Sequence, residues 1–128
     1  PIVSASYPMK TLPIRHCYEL YNPVKLCGNL VKIGGIGMGF VLIHRSVFEK
    51  LNRYYSELKY FPGLNNSNYP ITEKEYHNSY HYFAEMNKEG KYLGEDMSFF
   101  HRVSDIGYDV WMDTSIELQH IGSHVFGK

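Results

Sequence analysis

The chain has 128 residues, enough for one hydrophobic core, and residues 1–128 are predicted to form a single domain. Its 13 basic and 13 acidic side chains cancel, so it lacks the basic surface of a nucleic-acid-binding or membrane-surface protein. No apolar run approaches the length of a membrane span, and no signal-peptide pattern opens the chain. The composition therefore predicts a folded globular domain.

The first part of the chain is predicted to be β-structure. Ile2–Tyr7 has the composition of a short strand, and a turn signal at residues 21–23 separates Ile14–Leu20 from Val24–Val31, which predicts a hairpin. In that hairpin Cys17 and Cys27 would face each other, so a disulfide is possible. Two cysteines are too few for a disulfide framework, and we expect free thiols in a reducing compartment such as the cytoplasm.

A glycine-dense segment, Gly34–Gly39, leads into a strand and a helix. The continuous apolar run Phe40–Ile43 predicts a strand that is buried on both faces. Ser46 is expected to begin a helix, because Ser46 and Glu49 have the spacing of a capping box. Apolar residues then recur at helical spacing as far as Leu58.

The second half of the chain contains a long irregular segment followed by a second helix. Phe61–Lys91 is rich in turn-forming residues and is predicted to be a binding loop or lid, with one short helix around Thr72–Tyr80. A helix is predicted from Glu95 to Ile106, where Gly107 suits its C-terminal cap. Two strands are predicted after this helix, Tyr108–Met112 and Ile116–Ile121.

Asp96 is the strongest candidate for chemistry. It lies in the first turn of the predicted helix and shares the apolar face of Phe99, Phe100 and Val103 at helical spacing. A carboxylate on such a face needs a partner or a function, and the positive end of the helix dipole favours it there. A general base and a simple helix cap are both consistent with this position.

His120 and the glycine run are weaker candidates. Ile116, Leu118 and His120 alternate onto one face of the predicted strand, so His120 is expected to point inward, either as a metal ligand or as a core histidine. The glycines permit a close approach of the backbone to a ligand, or form a plain turn. They do not form a dinucleotide fingerprint, because they precede a strand.

Taken in order, these segments resemble the glycosyltransferases of the GT-A fold. Gly35–Leu51 resembles the glycine loop, strand and helix of that family, and Gly94–Arg102 resembles its x-Glu-Asp helix. Leu118–Ser123 resembles the segment that carries the metal-binding histidine. Ile2–Lys10 is similar to the segment that follows the Asp-x-Asp motif, and the resemblance covers most of the chain.

The resemblance implies an α/β fold, namely the C-terminal half of a GT-A domain with a mixed sheet flanked by helices. It implies a nucleotide-sugar donor and a carbohydrate or glycoconjugate acceptor, with Gly35, Gly37 and Gly39 lining the donor pocket. Arg102 would pair with Glu95 or with phosphate. The chain contains no Asp-x-Asp, so the nucleotide-binding half is expected to be absent and donor binding by the isolated chain to be weak.

The resemblance also implies the catalytic roles. Asp96 would be the base that deprotonates the acceptor hydroxyl, and Glu95 would orient the acceptor or the donor sugar. His120 would complete the coordination of a divalent cation, Mn²⁺ or Mg²⁺, that neutralises the leaving diphosphate. A single displacement would invert the anomeric configuration, and a retaining mechanism stays open.

Two other functions remain open. A carbohydrate-binding or interaction module would use the Tyr- and His-rich residues 54–92 and would need no metal. A metal hydrolase would use Glu95, Asp96, His101, His120 and His124. The hydrolase is disfavoured because His101 lies about 140° around an ideal helix from Asp96.

Overall fold

The computed structural model describes residues 1–60, 72–122 and 125–126. Over these residues the chain is mixed α/β. The strands are β1 Ile2–Ser4, β2 Tyr18–Leu20, β3 Leu26–Cys27, β4 Leu30–Ile36, β5 Val41–Ile43, β6 Met86–Lys88, β7 Lys91–Leu93, β8 Val110–Asp113, β9 His120–Ile121 and β10 Val125–Phe126. The helices are α1 Arg45–Tyr54, α2 Glu73–His77 and α3 Glu95–Asp105, with a 3₁₀ turn at Ser56–Leu58.

The main sheet has the order β2-β4-β8-β1-β5, and β3 pairs with β4 as well. Strands β1 and β8 are parallel, and Ile2 lies opposite Val110. The other pairings in this sheet are antiparallel. Two small antiparallel pairs, β6 with β7 and β9 with β10, lie outside it. The predicted mixed sheet flanked by helices is thus confirmed.

The core lies between one face of this sheet and helices α1 and α3. Phe99, Phe100 and Val103 of α3 are fully buried, as their helical spacing predicts. They pack in one cluster with side chains from α1, β1, β4 and β8. Burying each large apolar side chain contributes about 1.5–3 kcal/mol, so this cluster fixes the position of α3 against β4.

Strand β5 corrects one prediction. It was expected to be buried on both faces, but Leu42 is 76% exposed. The reason is that β5 lies at the end of the sheet order and pairs only with β1 among the described strands. The opposite side chains, Val41 and Ile43, pack against the core, so only one face of the apolar run is covered.

The start of α1 corrects another prediction. The helix begins at Arg45, and His44 is its N-cap, with a side chain that accepts from the Ser46 N–H. Ser46 therefore does not form the predicted capping box with Glu49, which pairs with Arg45 instead. The capping box of this chain lies at α2, where Thr72 and Glu75 satisfy each other's backbone N–H groups.

The predicted hairpin between Ile14–Leu20 and Val24–Val31 is wrong. Strands β2 and β3 both pair with β4, so they lie one after the other along the same edge of that strand. Seven residues of β4 at about 3.3 Å each make roughly 20 Å, whereas a disulfide needs Cα atoms within about 7 Å. Cys17 and Cys27 lie toward opposite ends of β4, and both are free, exposed thiols.

The second half of the chain agrees with prediction in its helices more than in its strands. Helix α3 ends before Gly107, which has φ of 79°, the left-handed conformation expected of its cap. The β6–β7 hairpin lies inside a segment predicted to be irregular. Ile116–Gln119 is not part of a strand, and β9 is limited to His120 and Ile121. Residues 61–71 of the predicted lid and His124 lie outside the described residues.

The longest described helix, α3, has 11 residues. None of the helices in the described ranges is long and apolar enough to cross a membrane.

Candidate functional site

The Asp96 carboxylate joins the start of α3 to the turn between β4 and β5. Gly94 is the N-cap of α3, so Asp96 lies in the first turn, where the helix dipole favours a negative charge. The side chain is half-buried, and its Oδ2 accepts a hydrogen bond of 3.3 Å from the Met38 N–H. The predicted position of Asp96 on the inner side of the helix is confirmed, and its carboxylate has a specific backbone partner.

The glycines of the turn make room for side chains of this chain. A Cβ atom on Gly37 would overlap the hydroxyl oxygen of Tyr7, and one on Gly39 would lie 2.5 Å from Tyr7 Cζ. The Gly39 N–H donates to that hydroxyl at 3.2 Å. Glycine is needed at both positions because the Tyr7 ring lies directly against the turn.

Gly35 has a different role from the other two. A Cβ there would lie 2.8 Å from Met97 Sδ and 3.3 Å from Phe100 Cβ, both on α3. The residue is buried within β4, under the helix. Gly35 therefore permits α3 to pack closely on the sheet, and we leave it out of the candidate site as a correction to the predicted donor-pocket role.

Tyr7 also connects the turn to His120. The two rings meet edge to face, with centroids 5.9 Å apart and planes at 86°. The His120 Nδ1 lies 3.1 Å from the carbonyl oxygen of Pro8, and a carbonyl can only accept, so Nδ1 carries the proton of this hydrogen bond. A neutral ring in this tautomer presents its lone pair at Nε2, which is the usual arrangement of a metal-binding histidine with a carbonyl behind it.

Sequence reasoning missed Tyr7. It is one of 12 tyrosines and belongs to no motif. The alternation of glycines at 37 and 39 predicts that something approaches the backbone closely, but it does not say whether a ligand or a side chain does so. Only the pairing of β1 with β5 brings residue 7 beside the turn.

Glu95 lies beside Asp96 but is exposed. The pKa of Tyr92 is raised mainly by its hydrogen bond to Glu85, and the negative charge of Glu95 raises it further. Glu95 is therefore available to a molecule in solution, as the predicted orienting role requires.

The structure does not place Arg102 where the sequence predicted. Its side chain is buried, 4% exposed, and its Nη1 donates to the Tyr82 carbonyl at 3.2 Å. The guanidinium lies over the Tyr55 ring, and burial lowers the pKa of Arg102. These contacts hold α3 to its neighbours, so we correct the predicted pairing with Glu95 or phosphate and leave Arg102 out of the site.

The residues proposed for a hydrolase are not brought together in the described part of the chain. His101 Nε2 lies 3.6 Å from Asp105 Oδ2, one turn further along α3. No group of three or more His, Cys, Asp or Glu side chains among the described residues is placed to hold a metal ion.

The Tyr-rich segment is partly used for packing. Tyr82 stacks on Tyr80 with centroids 5.7 Å apart, contacts Phe48 and donates its hydroxyl to Asn52. Tyr55 packs against the core as well. These rings are therefore occupied by the fold, and exposed rings of the segment, such as Tyr54, Tyr60 and Tyr92, are the ones that remain for a sugar-binding module.

Comparison with protein-family models, with curated proteins and with solved structures returned no significant match.

Proposed function

We propose that this chain is part of a metal-dependent glycosyltransferase of the GT-A fold that transfers a sugar from a nucleotide-sugar donor to an acceptor hydroxyl. The observation that supports it is the cluster of Asp96, Tyr7 and His120 around the turn at residues 37–40. The cluster combines a half-buried carboxylate at a helix N-terminus with a histidine in a metal-binding tautomer.

Asp96 is the proposed base. The Met38 N–H donates a hydrogen bond to Oδ2, which orients the carboxylate. The position of the second carboxylate oxygen is thereby fixed as well. In the transfer step the acceptor oxygen gives its proton to Asp96 and forms a bond to the anomeric carbon. The bond from that carbon to the diphosphate oxygen breaks, and its electron pair leaves with the nucleotide diphosphate. A single displacement of this kind inverts the anomeric configuration.

His120 is the proposed metal-binding residue, with Nε2 as the donor atom. A bound Mn²⁺ or Mg²⁺ would act as a Lewis acid that neutralises the charge of the leaving diphosphate. The residues fit such an ion as one protein ligand, because Pro8 fixes the ring through Nδ1 and Tyr7 packs against its edge. Diphosphate oxygens of the donor would supply further ligands.

Glu95 and the two glycines complete the proposed site. Glu95 is exposed one residue before Asp96 and can accept hydrogen bonds from sugar hydroxyls. Gly37 and Gly39 line the donor side only together with Tyr7, whose ring covers them. The sugar would therefore meet the Tyr7 ring and not the bare backbone, and an aromatic face suits the apolar face of a sugar.

The first experiment is a thermal-shift titration of the chain with Mn²⁺ and UDP-, GDP- or CMP-linked sugars. A ligand at 100 times its Kd stabilises the folded state by about 2.7 kcal/mol, which raises Tm by several degrees. We expect one nucleotide class to do so only with Mn²⁺ present. His120→Ala should remove the metal-dependent part, whereas His77→Ala, an exposed histidine of α2, should not. Equal shifts in both variants would show that His120 does not bind the metal and is a core histidine.

The second experiment tests the base. Asp96→Asn keeps an oxygen that can accept from Met38 N–H but removes the proton acceptor. Donor binding should stay within about twofold, and transfer should fall by about 10²–10⁴-fold. Asp109→Asn, which removes a surface partner of Lys32, is the matched control. Wild-type transfer by Asp96→Asn would refute the assignment.

A further inference from the structure

A cleft of about 470 Å³ lies beside the candidate site, where β1 and β8 end. These two strands run parallel, and ligands of α/β proteins bind outside the carboxyl ends of such strands. Ser6 and Pro8 line it from the segment after β1, and Ile116 lines it from the segment after β8. The volume is in the range of small-molecule sites, about 300–1,000 Å³.

The walls of the cleft are largely apolar. Ile14 is 46% exposed and Ile116 is 37% exposed, and Tyr18 and Leu118 add to the same surface. Apolar side chains that remain accessible in a concave site gain free energy when an apolar group covers them. The cleft therefore fits a ligand with an apolar ring or alkyl chain.

The charge of the cleft is unfavourable for anions. Among the described residues, its lining includes Asp113 and Glu117 and no Lys or Arg. Hydrogen bonds from the Ser115 hydroxyl and N–H hold the pKa of Asp113 below its usual value, so this carboxylate keeps its negative charge. A phosphate in the cleft would lie near these two acidic residues, which disfavour it by like charge. The cleft is thus unsuited to the diphosphate of a donor.

Polar groups of the cleft lining can recognise hydroxyls. The Ser6 Oγ lies 2.5 Å from His16 Nδ1, and both residues line the cleft. Pro8 also lines it, and the Pro8 carbonyl is the partner of His120 Nδ1. A molecule in the cleft is therefore separated from the candidate metal-binding histidine by a single residue of backbone.

We infer that this cleft is a subsite that binds an uncharged glycoside carrying an aryl or alkyl group. The apolar group lies against Ile14 and Ile116, and sugar hydroxyls bond to Ser6 and His16. This binding needs neither metal nor nucleotide.

The test is a titration of the ¹⁵N-labelled full chain, without metal or nucleotide, followed by two-dimensional NMR. The probes are 4-nitrophenyl β-D-glucoside, free glucose and 4-nitrophenyl phosphate. We expect the uncharged aryl glucoside to shift the amides of Thr114 and Ile116 with a Kd on the order of 1 mM or tighter. Glucose and the aryl phosphate should bind at least about tenfold more weakly.

Three variants sharpen the result. Ile116→Ala should weaken binding of the aryl glucoside about fivefold, whereas Leu26→Ala, a 69% exposed residue outside the cleft, should not change it. Glu117→Lys should reverse the charge preference, so that the aryl phosphate binds at least as well as the glucoside. Equal binding by all three probes, or no effect of Ile116→Ala, would overturn the inference.

The outcome is separable from that of the proposed function. If the aryl glucoside binds in the cleft but no nucleotide sugar stabilises the chain with Mn²⁺, the proposed transferase fails and the cleft stands as a glycoside-binding subsite. If a nucleotide sugar binds and the glucoside does not reach the cleft, only the inference about the cleft is refuted.

Discussion

Gly37→Ala tests whether the glycine turn exists to receive the Tyr7 ring. The added methyl group would overlap the Tyr7 hydroxyl, so the ring must move. Movement breaks the hydrogen bond from the Gly39 N–H, about 1 kcal/mol, and the edge contact with His120, about 0.5–1.5 kcal/mol. We therefore expect the free energy of unfolding to fall by about 2 kcal/mol, within the range of overpacking.

The same change should have the opposite sign when Tyr7 is absent. In a Tyr7→Ala background nothing overlaps the new methyl group, and Gly37 does not have positive φ. Replacing glycine by alanine at such a position stabilises by about 0.4–1 kcal/mol, because the unfolded chain loses freedom. The two effects differ by about 2–3 kcal/mol, which is the coupling expected in a double-mutant cycle.

Urea unfolding of the four proteins, followed by far-UV circular dichroism, measures this coupling. Gly94→Ala is the control, because a Cβ at Gly94 meets nothing within 4 Å. Its effect should be the same with and without Tyr7. A coupling between Gly37 and Tyr7 below about 0.5 kcal/mol would show that the ring does not hold the turn, and it would remove Tyr7 from the site.

Two more predictions concern α3 and its surroundings. Ser98 is fully buried and accepts from the Met86 N–H, so Ser98→Ala should destabilise the fold by about 1–3 kcal/mol. The control in the same urea assay is Ser104→Ala at an exposed position, which should change stability by no more than about 0.5 kcal/mol. Tyr55 donates to Asp105, and burial, ahead of that hydrogen bond, raises the pKa of Tyr55. The stability advantage of wild type over Tyr55→Phe should therefore be full below the unfolded tyrosine pKa of about 10 and decline as pH rises towards the folded pKa; an advantage that grows with pH would contradict it.

The helices show how far local rules reach. The apolar spacing of Phe99, Phe100 and Val103 predicts both α3 and its buried face, because both depend on residues within four positions of each other. The glycine cap at Gly107 is equally local. The predicted start of α1 is wrong because His44 and Ser46 could each supply a cap. The choice between them depends on side-chain orientation.

Strand pairing shows where those rules stop. The segments of β2 and β3 were predicted, but their partner was not, since neither turn chemistry nor composition shows that β4 is long enough to pair with both. The same limit applies to β5, whose exposed face follows from its position at the end of the sheet. The separation of Cys17 and Cys27 is a direct consequence.

The candidate site divides in the same way. The sequence by itself determined Asp96 on the inner side of α3, because helical periodicity sets the direction of a side chain, and it indicated His120 and a close approach at the glycines. Only the tertiary structure decided that Tyr7 approaches those glycines, that Gly35 and Arg102 serve the packing of α3, and that an apolar cleft lies next to His120. Those contacts join residues far apart in the chain, and local spacing carries no information about them.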